Sequence, residues 1–206
     1  MNWALAAAPA AIVGLVFWIT GFVHPAILAY HLLCGIAIWR RRDRVKAFLR
    51  ADGSTWGWIA GTTLIIALSL AAAPFIHSPA PYRDLFRRTL LPWGDPRALF
   101  ALFAVYTMVV HAPLEEIFWR AAAMDPDTPA RGNTILGNAV MFYLLHAVPM
   151  SMVLGPLGLL AAVPAGAAGG VWAFVTIRSR SLWPGLVSHW GADGLILAGM
   201  WFYFIR

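Results

Sequence analysis

Apolar residues run along this chain in long blocks, separated by short stretches that are basic or marked by proline and glycine. A membrane-crossing helix needs about 20 predominantly apolar residues, and the blocks predict seven such spans. The first runs from Leu5 to Thr20 and the second from Pro25 to Trp39; both are short, and a tight turn at Gly21 to His24 joins them. The third covers Trp56 to Ile76, the fourth Ala98 to Ala123, the fifth Ile135 to Leu154, the sixth Leu157 to Ile177 and the seventh Leu182 to Ile205. The expected fold is therefore all-α, a polytopic transmembrane helical bundle forming one integral membrane domain over residues 1–206. Its N-terminal spans lie in 1–76 and its core is the last four spans, in 98–205. Between the third and fourth spans, Arg83, Asp84, Arg87 and Arg88 alternate with Leu85, Phe86, Leu90 and Leu91. That mixture, within His77 to Arg97, suits either a short amphipathic helix on the membrane surface or an ordinary loop.

Composition agrees with the pattern. Hydrophobic residues make up 61% of the 206 positions and charged residues 12%, about half the charge of an ordinary soluble domain. Met1-Asn2-Trp3 lacks the basic stretch of a signal peptide, so the first block reads as a span. The single Cys34 excludes an intramolecular disulfide and is read as a packing residue. The net charge of +6 does not point to nucleic acid, because Arg40, Arg41, Arg42, Arg44, Lys46 and Arg50 follow one apolar block directly. Such clusters mark the cytoplasmic side of a membrane and touch anionic headgroups. With the N-terminus inside, the inner loops hold nine Lys and Arg and the outer side five, which favours that orientation in a cytoplasmic membrane of prokaryotic type. Trp39, Trp56, Trp58 and Trp183 fall at span ends, where amphipathic rings prefer the headgroup layer.

Against this apolar background a few ionisable residues stand out. The only two glutamates are adjacent, Glu115 and Glu116, late in the fourth span, with Arg120 following. His146 lies within the fifth span, and His189 and Asp193 lie in the seventh. A charge at the centre of a membrane helix costs about 2.5–3.5 kcal/mol on insertion scales, so such residues must meet one another, face protein or line water. Glu116 and Arg120 are four apart and share a face, as do His189 with Asp193 and Phe142 with His146. Glu115 points about 100° away from Glu116, on the face of His111 and Trp119. Pro113 should kink the helix and free a backbone carbonyl that needs a partner. Taken singly, each has a structural reading: an ion pair, or a hydrogen-bonded packing histidine. His111 is ambiguous, and His24, His31 and His77, near predicted interfaces, receive no role.

The joint pattern resembles the CPBP family, the CAAX-processing and bacteriocin-immunity-related intramembrane proteases. Its three marks read here as Glu115-Glu116-Ile-Phe-Trp-Arg120, Phe142-Tyr-Leu-Leu-His146 and His189-Trp-Gly-Ala-Asp193. They cover the chain from Ala98 to Ile205; the first three spans carry no mark. The resemblance implies a glutamate-type intramembrane endopeptidase without metal or other cofactor, acting on a membrane-anchored or lipidated protein or peptide within the lipid bilayer. It implies catalytic roles for Glu115, Glu116, Arg120, His146, His189 and Asp193. Glu115 and His146 would activate water, His189 would donate to the oxyanion, and Glu116 with Arg120 would hold the geometry. Many members have Asn where this chain has Asp193. An ionised Asp can only accept, so Asp193 either stays protonated or orients His189 by accepting its second N–H. Competing readings are a zinc-dependent membrane hydrolase with Glu115, His146 and His189 as ligands, and a non-enzymatic transporter, ion pathway or immunity scaffold. Ser188 beside His189 offers a serine nucleophile, but adjacent helical residues diverge by about 100°.

Overall fold

The computed structural model describes residues 1–51, 53–72, 95–124 and 132–202. Among these the chain is helical, without strands. The expected surface segment from His77 to Arg97 and the outer ends of the third and seventh spans lie largely or wholly outside the described residues.

Helix α1 (Trp3–Thr20) starts at Asn2, whose side chain accepts from the Leu5 N–H at 3.0 Å, satisfying a donor that the first turn leaves free. It ends at Gly21, left-handed at φ 70°, whose N–H returns to the Phe17 carbonyl; only glycine adopts this without strain. Helix α2 (Val23–Arg40) and the short α3 (Arg42–Phe48) follow, then α4 (Gly53–Ala72). The path of the fourth span is composite: α5 (Pro96–Tyr106), a π turn (Thr107–His111), α6 (Ala112–Ile117) and a second π turn (Phe118–Ala122). Helix α7 (Gly132–Leu154), the short α8 (Pro156–Ala161), α9 (Val163–Ser179) and α10 (Trp183–Met200) complete the bundle.

Among the described residues, four helical paths are long and apolar enough to cross a membrane: Trp3–Thr20, Arg97–Ala122, Gly132–Met152 and Pro156–Ser179. Helices α2 and α10 carry several of the buried polar groups described below, which dilutes their apolar character.

Hydrogen bonds tie one end of the bundle together. The Asn2 N–H donates to the Ala123 carbonyl at 3.0 Å, and the Leu182 N–H to that of Phe48 at 2.9 Å. Arg41 donates to the Ala122 carbonyl, Arg44 to that of Met124 at 3.4 Å, and the Trp183 indole to that of Leu49 at 3.0 Å. The start of α1, the basic segment after α2, the end of the second π turn and the start of α10 therefore share one end, so successive long helices alternate in direction.

The interior favours small residues where helices meet. Helices α7 and α9 make the most extensive pairing. A methyl group at Gly169 would lie 2.8 Å from the Phe142 Cβ, so that crossing requires glycine. Close approach through small residues is the usual means of packing helices in lipid, where burial from water supplies no drive. The segment that bears the two glutamates is packed by α2, α9 and α10 and is the most enclosed part of the molecule. Cys34 is buried in the same core.

Candidate active site

Pro113 shapes the backbone beside the glutamates. It has no N–H to offer, and the helix widens one turn earlier, with the Ala112 N–H reaching back five residues to the Thr107 carbonyl. π turns of this kind recur at functional sites. The Met108 carbonyl, whose partner five residues on would be Pro113, accepts instead from the Trp190 indole N–H at 2.7 Å. This is the freed carbonyl expected from the proline, and its partner comes from α10.

Glu115 and Glu116 are both buried, at 1% and 0% exposure, but they meet different neighbours. Glu116 Oε1 lies 3.4 Å from the Arg120 guanidinium and 3.0 Å from His189 Nδ1. Arg120, itself fully buried, donates to Asn138 Oδ1 at 2.9 Å, while Asn138 donates to the Trp119 carbonyl at 3.3 Å. The guanidinium also lies 5.0 Å from the Phe142 ring and 5.6 Å from the Trp172 ring, a cation–π setting that suits arginine's weakly hydrated plane. Gly185 brings the α10 backbone against this carboxylate; a Cβ there would sit 2.5 Å from Glu116 Oε2.

Glu115 meets a phenol and imidazoles. Its Oε1 accepts from the Tyr30 hydroxyl at 3.0 Å, and that hydroxyl accepts from the Trp119 indole at 3.0 Å. His111 Nε2 lies 3.6 Å from the same oxygen. The second oxygen, Oε2, is 3.9 Å from His189 Nε2. Asp193 Oδ2 lies 3.6 Å from the same nitrogen. Glu115 Oε2, Glu116 Oε2 and Asp193 Oδ2 are buried without a hydrogen-bond partner among the described residues.

His189 is held at Nδ1 by Glu116 and stacked on Trp172, with ring centroids 4.3 Å apart and planes 19° from parallel. Its Nε2 faces Glu115 and Asp193. Asp193 is therefore not within hydrogen-bond distance of His189, and the orienting contact expected from it is made by Glu116. His146 Nδ1 bonds the Phe142 carbonyl at 2.9 Å. A carbonyl only accepts, so Nδ1 carries the proton, and Nε2 of the neutral ring keeps its lone pair. His146 interacts electrostatically with Glu115, His111 and His189, which joins the fifth span to the cluster. Ser188 is occupied: its hydroxyl accepts from the Trp172 indole at 2.7 Å and reaches back to the carbonyls of Pro184 and Gly185, so it takes no part as a nucleophile paired with His189. Among the described residues no group of three or more His, Cys, Asp or Glu side chains is arranged to hold a metal ion.

The sequence pattern did not flag Tyr30, His31, Asn138 or Trp172. His31, given no role from the sequence, bonds His111 across the bundle at 3.0 Å. None of these four follows a helical spacing from the glutamates, so no local signal marked them.

The fold and cluster define a helical membrane protein with carboxylates and imidazoles gathered inside its bundle. Residues 97–195 match the family described as type II CAAX prenyl endopeptidase, Rce1-like. Over that segment the resemblance to the CPBP proteases is borne out, and the match indicates a membrane protease. No curated protein and no solved structure matches the chain.

Proposed function

We propose that the protein is a glutamate-type intramembrane endopeptidase that cleaves a membrane-anchored or lipidated protein near one end of a seven-span bundle, with its N-terminus inside and the whole chain acting as one membrane domain. One observation carries the reading: Glu115 Oε2 and Asp193 Oδ2, buried and without hydrogen-bond partners, flank His189 Nε2 at distances too long for bonding. Unsatisfied buried polar atoms are rare in native structures and call for a cause. We take that cause to be a water or a substrate carbonyl bound at this nitrogen.

In this mechanism Glu115 takes a proton from a water, with His146 Nε2 as a second acceptor. The hydroxide oxygen attacks the scissile carbonyl carbon, and the oxyanion is met by His189 Nε2 when that ring carries both protons. As the C–N bond breaks, the proton held by Glu115 passes to the leaving nitrogen, so the atoms of water end on the new acid and the new amine. Glu116 and Arg120 act through His189 by fixing its ring. A prepositioned donor at the oxyanion contributes about 2.7–4 kcal/mol in known hydrolases.

The test uses purified protein in proteoliposomes with a membrane-anchored reporter peptide. Glu115→Gln should abolish cleavage while the protein stays folded, and unchanged turnover would end the assignment. A chelator should leave the wild-type rate unaltered; inactivation restored by zinc would favour the metal hydrolase instead.

A further inference from the structure

On the reading above Glu115 gains and loses a proton in every turnover, in a site that substrate fills. A line of side chains outside the three motifs leads away from it. Tyr106, half-buried, has its hydroxyl 2.5 Å from His31 Nδ1. His31 Nε2 lies 3.0 Å from His111 Nδ1, and His111 Nε2 is 3.6 Å from Glu115 Oε1. Both nitrogens of both imidazoles face a partner in the line. Such polar groups are costly inside a span, and this is more of them than a helix contact needs. The line also crosses between helices, since His31 comes from α2 and the others from the fourth-span path.

We propose that Tyr106, His31 and His111 form a proton wire to Glu115, exchanging its carboxyl proton with the outer end of the line at Tyr106; this rests on Glu115 being the water-activating carboxylate. The hydrogen bonds can run in two directions. With Glu115 ionised, Tyr106 donates to His31, His31 Nε2–H to His111, and His111 Nε2–H to the carboxylate. With Glu115 protonated, every bond is reversed. Converting one arrangement to the other moves a single proton from end to end. Tyr106 gives one proton to His31 and takes another from outside the line, while each imidazole gains a proton at one nitrogen and loses one at the other as its C=N double bond shifts, so neither the phenol nor either ring ends charged. The 3.6 Å link is the loosest, and catalytic hydrogen bonds commonly tighten only when substrate is bound. His31, His111 and Tyr106 are thus positioning and proton-carrying groups for Glu115, not groups that touch the scissile bond.

The test compares His31→Gln and Tyr106→Phe with the wild type in proteoliposomes, using a membrane-anchored reporter peptide that the wild type cleaves. Gln keeps hydrogen bonds but cannot pass a proton through a ring, and Phe removes only the hydroxyl. Each should lower kcat by about a hundredfold, the lower end of what a positioned proton-transfer group contributes, with KM unchanged. Raising the imidazole concentration should restore kcat in the variants and leave the wild type unaffected. Wild-type kcat in both variants overturns the wire, as does a loss of kcat indifferent to imidazole. Should His31→Gln fail to fold, Tyr106→Phe alone decides. Glu115→Gln runs in parallel: if it cleaves normally, the parent reading fails, whereas an inactive Glu115→Gln beside a fully active Tyr106→Phe removes the wire alone.

Discussion

The two glutamates are neighbours in the chain and occupy two different regions of the molecule. Around Glu116 stand a buried guanidinium with an asparagine behind it, the His189 ring, aromatic faces at Phe142 and Trp172, and the Gly185 backbone pressed against the carboxylate. Around Glu115 the partners are a phenol and imidazoles; among the described residues the Oε2 of each glutamate lacks a hydrogen-bond partner. The roughly 100° between consecutive helical residues creates the contrast. A charge neutralised by a fixed opposite charge holds its neighbours in place. A carboxylate facing a phenol and imidazoles, which themselves exchange protons, is placed to take up and release one. On the proposed reading, this difference gives positioning to Glu116 and chemistry to Glu115.

The strongest way to break that division is to remove each carboxylate's defining feature. Glu115→Gln should cut the cleavage rate by roughly 10²–10⁴-fold, the range for a general acid–base group, with little change in thermal unfolding. Arg120→Leu should do the reverse in kind. Leaving Glu116 buried and unpaired costs about 3–5 kcal/mol, read as a large fall in unfolding temperature in detergent. If the two variants gave the same phenotype, the division would be wrong. Gly185→Ala should be milder, destabilising by about 1–3 kcal/mol through overpacking. It should also lower kcat, because the added methyl would displace the carboxylate that holds His189; an unaltered kcat would separate Glu116 from the chemistry. Asp193→Asn should have the smallest effect, keeping the rate within about tenfold, or ~1.4 kcal/mol, since Glu116 already orients His189. A complete loss would show that Asp193 shares the work assigned to Glu115.

Much of the arrangement could be read before any coordinates. The Glu116–Arg120 pair follows from a four-residue spacing and is found at 3.4 Å. The proline predicted a carbonyl in need of a partner, and Met108 has one. Other features could not be read that way. His189 and Asp193 share a helical face, yet the hydrogen bond to His189 comes from Glu116, 73 residues away in the chain. Tyr30, 85 residues from Glu115, sits on a helix that carries no motif, and nothing in the sequence pairs His31 with His111 on another helix.

The sequence by itself determined the helices and which side chains share a face, because these depend on hydropathy and on a period of 3.6 residues within one segment. Tertiary structure alone decided the rotation of each helix about its axis and the π turns that reset that rotation beside Pro113. Those two quantities fix which groups from different helices meet, and no spacing within one helix encodes them.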